Sequence, residues 1–189
     1  MKNIKFKTII LAGFLLSGLS FSQIIIGDAI GTAALGNKQS VLLEYANTNN
    51  KGMILPYVRN IPSTPSEGTI ILDASVPTTA RVKYYNANTT PNSGGWVDIS
   101  GQDADITTAL SSQPIGVNES SAKAIIGSTT SAADGVLVLE STTKAMVLPV
   151  VSNTNNIINP SPGMMVYVNT AGAKRLAVYN GAKWSYWMP

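Results

Sequence analysis

The chain has 189 residues and contains neither His nor Cys, which excludes disulfides, Cys nucleophiles, most hydrolytic triads, and zinc or copper sites built on imidazole or thiolate. Its net charge of +3 comes from 13 basic and 10 acidic residues, but Lys2, Lys5 and Lys7 supply the excess, and the chain beyond residue 22 is neutral. Neither a basic footprint for nucleic acid nor a polybasic patch for lipid is expected.

The first elements read as a secretory signal peptide. Lys2, Lys5 and Lys7 form its positive start, Thr8–Leu19 its apolar stretch, and Ser20–Phe21–Ser22 places small residues before Gln23. The apolar stretch is shorter than the roughly 20 residues a membrane span needs. An exported product starting at Gln23 is expected, extracellular or at the cell surface, with the periplasm as the other destination. After cleavage no run is long enough to span a bilayer, and no Cys stands at the cleavage site to carry a lipid.

Beyond the signal the pattern is all-β. Gln23–Gly27 holds three consecutive Ile and favours a buried strand. Ala29–Gly36 reads as a turn, Ser40–Tyr45 as a strand, and Ala46–Asn50 as loop chemistry. Met53–Leu55 is a short apolar strand stopped by Pro56. Pro62, Pro65 and Gly68 make the next stretch irregular. Thr69–Leu72 is a continuous apolar run, as in a strand covered on both faces. Arg81–Val82–Lys83–Tyr84 alternates, with Val82 and Tyr84 predicted inward. A polar loop, Ala87–Gly95, precedes Trp96. Gln102–Leu110 has the makings of two helical turns or of a linker, since so short a helix is marginal alone.

The rest repeats the first half. Lys144–Ala145–Met146–Val147–Leu148–Pro149 rewrites Lys51–Gly52–Met53–Ile54–Leu55–Pro56 at an offset of 93 residues, and Tyr85 and Tyr179 are 94 apart. Val41–Glu44 and Val136–Glu140 each end in Glu before this motif. Pro65–Ile71 and Ser161–Val168 follow it. Ile125–Ile126–Gly127 resembles Ile25–Ile26–Gly27, and Leu176 and Val178 stand where Val82 and Tyr84 do. Asn180–Gly181, between two strands, reads as a tight hairpin in which both residues take positive φ. The expected architecture is a signal peptide (1–22), two tandem copies of a small antiparallel β-repeat (23–100 and 123–189), and a connecting segment (101–122).

Few residues carry chemistry. Asp103 and Asp105 are the one close acidic pair. With Gln102 they offer oxygen ligands for a weak Ca²⁺ site, but the rest of such a loop is missing, and a solvated linker or helix cap is the simpler reading. Gly94–Gly95 lacks the surroundings of a phosphate loop. Lys51 and Lys144, with Glu44 and Glu140 upstream, are read as structural cross-strand pairs rather than catalytic amines. No catalytic residue, cofactor or metal site is assigned. Trp96 and Trp184 recur and are read as core plugs. Tyr186 and Trp187 are the candidate ligand-binding residues, since exposed aromatics stack on sugar rings.

The second copy resembles a repeat of exported Bacteroidetes surface proteins through Leu139–Glu140, Thr143–Lys144, Pro149, Pro160–Gly163, Tyr167–Val168–Asn169–Thr170, Leu176, Tyr179–Asn180–Gly181 and Trp184. The first copy fits through Lys51–Gly52, Pro56, Pro65–Gly68, Tyr85–Asn86 and Trp96, with Leu72–Asp73 where the family has Tyr-Asn. The second half of the motif is also similar to repeats of phage tail-fibre shafts. The resemblance implies a β-rich, non-catalytic structural or adhesive component of a surface or fibre, with self-association as a homotrimer or filament. The alternative is a carbohydrate-binding module using Tyr186 and Trp187, with glycans as partners.

Overall fold

Short apolar runs cut by Pro, Asn and Gly fold into strands of two to five residues. The computed structural model describes residues 23–27, 31–89, 94–116 and 123–187. The expected signal peptide and parts of the Ala29–Gly36 turn, the Ala87–Gly95 loop and the connecting segment lie outside the described residues.

The fold is all-β. In the first half β1 (Ile24–Ile26) runs parallel to β2 (Val41–Tyr45). Next come β3 (Met53–Ile54) and β4 (Tyr57–Val58), then β5 (Ile70–Asp73), β6 (Arg81–Tyr85) and β7 (Trp96–Asp98). The last three form an antiparallel ladder, with β4 added in parallel on β5. The second half repeats this order. β8 (Ala124–Ile126) runs parallel to β9 (Leu137–Leu139), followed by β10 (Ala145–Val147) and β11 (Val150–Val151). β12 (Met164–Val168), β13 (Arg175–Tyr179) and β14 (Trp184–Trp187) make the second antiparallel ladder, with β11 parallel on β12.

The equivalence reaches single bonds. The amide of Ala46 donates to the Ile26 carbonyl at 2.9 Å, as Glu140 does to Ile126 at 2.8 Å. Gly27 and Gly127 share the positive φ values of 100° and 97° that end the opening strand of each half. This register matches Ala46, not Glu44, with Glu140. The two acids that sequence spacing aligned are therefore two positions apart.

The halves trade one strand each. β3 leaves its own half and pairs antiparallel with β12 (Met164↔Ile54, Met165↔Met53). β10 pairs in parallel with β2 (Met146↔Leu43, Val147↔Glu44), completing the sheet β1-β2-β10. Gly52 explains part of this asymmetry. A Cβ there would lie 2.5 Å from Met164 Cγ and 2.8 Å from Val166 Cγ1, so only a glycine lets the chain lie so close to β12. The second motif has Ala145 at that position and makes no such approach.

The main core draws on both halves. Leu55, Leu72, Val82 and Ile99 pack in one cluster with Ile106, Leu110, Met165 and Val178. A second cluster, Val151, Ile157, Met164, Val166, Val168 and Ala177, lies on the other side of β12. Alternation along β12 sends Met165 to one core and Met164, Val166 and Val168 to the other, which is why the strand is apolar throughout. The inward residues expected on β6 and β13 are inward: Val82 and Val178 are fully buried, and Tyr84 and Leu176 pack against the main cluster.

The stretch after β7 is packed rather than free. Ala104 and Ala80 bridge through paired amide bonds of 2.9 and 3.2 Å. A helix covers only Thr107–Ser111 and buries Leu110. Arg59 donates to the Leu110 carbonyl at 2.8 Å, and Gln113 to that of Tyr57 at 2.8 Å. The β13–β14 connection also differs from a turn with Asn180 and Gly181 as its central pair, since the Asn180 amide donates to the Lys183 carbonyl across it. Gly181 has φ of 117°, but Asn180 keeps a negative φ and is fully buried. Its Oδ1 accepts the amides of Ala182 and Lys183, and its Nδ2 donates to the Gln102 carbonyl at 2.6 Å. Asn serves here as a turn-forming side chain that ties the hairpin to the connecting segment.

Candidate functional site

β14 pairs antiparallel with β13 in the register Leu176↔Trp187, Ala177↔Tyr186, Val178↔Ser185 and Tyr179↔Trp184. Alternation puts Trp184 and Tyr186 on one face and Ser185 and Trp187 on the other, and the contacts agree. The Tyr186 hydroxyl lies 2.8 Å from Thr154 Oγ1, and its ring sits 4.1 Å from Arg175 Cζ in a cation–π contact. Trp187 Nε1 donates to the Ile99 carbonyl at 3.1 Å, and Ser185 Oγ donates to the Ser100 carbonyl. Tyr186 and Trp187 nonetheless stay 42% and 48% exposed. The structure separates them: they face opposite sides and do not form one aromatic platform.

Beside Tyr186 lies a cavity of about 110 Å³ lined by Ser152, Asn153, Thr154, Thr170, Arg175 and Tyr186. Arg175 Nε is buried and has no hydrogen-bond partner among the described residues. A buried donor left unmade costs about 1–3 kcal/mol, and a guanidinium prefers a planar anion such as a carboxylate. The chemistry on offer is recognition of a small polar, acidic group.

Of the two recurring Trp residues expected as core plugs, Trp184 packs against the second cluster and Trp96 belongs to neither. Both are half-buried and lean on the Tyr of the preceding strand. The Tyr85–Trp96 centroids are 5.2 Å apart at 55°, and the Tyr179–Trp184 centroids 5.3 Å apart at 48°. β7 and β14 are the outer strands of their sheets, so one side of each indole stays open while the tilted pair shields the other.

The expected Lys51–Glu44 and Lys144–Glu140 pairs do not form. Glu44 is fully buried and its cation is Lys38, at 2.8 Å. The Ala33 amide also donates to it at 2.8 Å, and the Gln23 side chain does too. Lys38 lies in the 3-10 turn Leu35–Ser40 that leads into β2, so the nearer cation captures the acid. Burial pushes the Glu44 carboxyl up, but these bonds outweigh it and hold its pKa below the ordinary 4.5. Lys51 is exposed. Glu140 instead accepts from Ser131 Oγ.

Four further acids, Asp73, Asp98, Asp103 and Asp105, are also engaged. Asp73 meets Lys83 at 2.7 Å and accepts from Ser75. Arg81 joins Asp98 and, at 2.8 Å, Asp103. Asp98 also caps the turn through the amides of Ser100 and Gly101. For Asp73 and Asp98 burial again acts upward and the donors prevail, leaving both below the ordinary 3.8. Asp105 accepts the Thr107 amide at 2.9 Å as a cap. The suggested Ca²⁺ ligands therefore have separate structural partners, Arg81 for Asp103 and Thr107 for Asp105. Among the described residues no three His, Cys, Asp or Glu side chains converge for a metal ion.

One pattern escaped the sequence reading. Ser141–Thr142–Thr143–Lys144 has the spacing of a Ser–Lys nucleophile pair, as does Ser120–Lys123, whose Ser lies outside the described residues. Ser141 Oγ accepts the backbone amides of Thr143 and Lys144, at 3.3 and 2.9 Å. Lys123 Nζ donates to the carbonyls of Ser131 and Ala133. These are turn-closing roles.

Comparison with curated proteins and with solved structures finds no match. Residues 125–188, from within β8 through β14, match the model of a family described as a phage tail like trimerisation region.

Proposed function

We propose that this chain is an exported, non-catalytic structural component of a fibre or cell surface, which assembles with copies of itself through its second half. The observation that carries this reading is the match of residues 125–188 to the trimerisation region. The likeness to Bacteroidetes surface repeats and the signal-like first 22 residues support export. The full chain, expressed in a bacterial host, should yield a processed product beginning at Gln23. Light scattering after size exclusion should give three times the single-chain mass. A monodisperse single-chain mass would overturn the self-association, and retention of the first 22 residues in the cytoplasm would overturn export.

The cavity beside Tyr186 favours a second reading, a glycan-binding module that takes acidic sugars through Arg175. Binding to uronate-containing oligosaccharides should fall at least tenfold in Tyr186→Ala, with Trp187→Ala as its companion on the opposite face. Undiminished binding in Tyr186→Ala, or no binding by the parent protein, would reject it.

A further inference from the structure

The two opening sheets are equivalent but unequally complete. In the first half β2 is flanked by β1 on one edge and by β10 on the other. In the second half β9 has β8 on one edge and no strand on the other among the described residues. A two-stranded sheet is marginal by itself, and an open edge is a template for another strand.

Burial at matched positions differs in the same sense. Leu42 and Leu43 on β2 are 3% and 0% exposed. Their counterparts, Val136 just before β9 and Leu137 on it, are 51% and 41% exposed. The residue types are alike, and β2 differs from β9 in having its second edge occupied. The backbone points the same way. The Val136 carbonyl and the Glu140 amide bond to β8. Alternation then turns the amides of Leu137 and Leu139 toward the open side.

The chain contains one more copy of the strand that fills this place on β2. The occupant there is β10, from the Lys144–Pro149 motif, and its counterpart is β3, from the Lys51–Pro56 motif. β3 uses one edge on β12, where the Leu55 amide reaches the Gly163 carbonyl. Ile54, whose backbone faces the other way, is 51% exposed.

We infer that the open edge of β9 is a docking site for β3 of a second copy of this chain, in the register that β10 takes on β2. Met53 then stands opposite Leu137, and Ile54 opposite Val138. The inference rests on the self-association reading above and adds a first-half strand, β3, as what the β9 edge of the second half receives. The contact is head-to-tail, because two different surfaces meet, β3 of one copy and the β9 edge of the next. Such contacts close into a ring or run on as a filament.

The absence of native Cys makes the test clean. Ile54→Cys and Val138→Cys proteins, mixed under mild oxidation, should form a disulfide-linked pair that neither forms alone. Separately, Leu137→Lys places a charge on the exposed edge and should reduce the assembly to single chains while leaving the melting temperature of the monomer unchanged. A wild-type oligomer that persists in Leu137→Lys and yields no cross-linked mixed pair would overturn docking at β9 while leaving self-association standing. A single-chain mass for the wild type would overturn both.

Discussion

Leu72→Ala is expected to lower the stability of the entire chain, not of its first half alone. Leu72 is fully buried in β5 and belongs to the cluster that also contains Met165 and Val178 of the second half and Ile106 and Leu110 of the segment between. A Cβ on Gly163 would touch the Leu72 side chain at 3.3 Å, so β12 packs directly over it. Truncating such a leucine costs about 2–5 kcal/mol, the transfer term plus the cavity left behind. With an m-value of about 2 kcal/mol/M, a loss of about 3 kcal/mol moves the urea midpoint down by about 1.5 M. The Trp residues report separately, Trp96 from the first half and Trp184 and Trp187 from the second. Both signals should shift together in one transition. Two transitions, with only the Trp96 signal moved, would show that the halves fold on separate cores.

That shared core was only partly legible in the sequence. The repeat was visible because Lys, Met, Leu and Pro recur in the same order, and the strands β2, β5, β12 and β13 fell where apolar runs and alternation placed them. Partner choice was not visible. β3 and β10 are two and three residues long, and so few side chains carry no register of their own. The exchange between halves is decided by tertiary fit, with Gly52 against Met164 and Val166 as its one local trace. Glu44 was misassigned for a related reason. Spacing to the recurrent Lys51 drew attention, while Lys38 sits six positions before the acid in a 3-10 turn that no periodicity announced. The faces of Tyr186 and Trp187 followed from alternation alone. The partners Arg175, Thr154 and Ile99 required the fold.

Glu44→Ala should be comparably damaging, and its pH dependence identifies the cause. The carboxylate has no exposed surface and accepts from Lys38, the Ala33 amide and Gln23. Gly31 leaves room for it, since a Cβ there would overlap the carboxyl group. Removing one partner of a buried pair strands the other, at a cost of about 3–5 kcal/mol. Lys38 retains some access to water, with 17% of its side chain exposed, which sets the expectation at the lower end. Glu44→Gln keeps the shape and loses the charge, and should fall between parent and alanine variant. The folded-state pKa of Glu44 lies below its ordinary 4.5, so the folded protein resists protonation more than the unfolded chain does. Its contribution is therefore complete above that ordinary value and is lost as pH falls through the lower, folded one. Asp73 and Asp98, both held below 3.8, act in the same direction at slightly lower pH. Denaturant midpoints should be level from neutrality down to about pH 5 and then fall. Glu44→Gln should start lower and show a shallower acid fall, because one of the carboxylates held below its ordinary value is gone. An acid limb as steep as that of the parent would mean that the charge on Glu44 does not hold the β1–β2 sheet closed. Full stability in Glu44→Ala would mean that the turn around it is held by its backbone bonds alone.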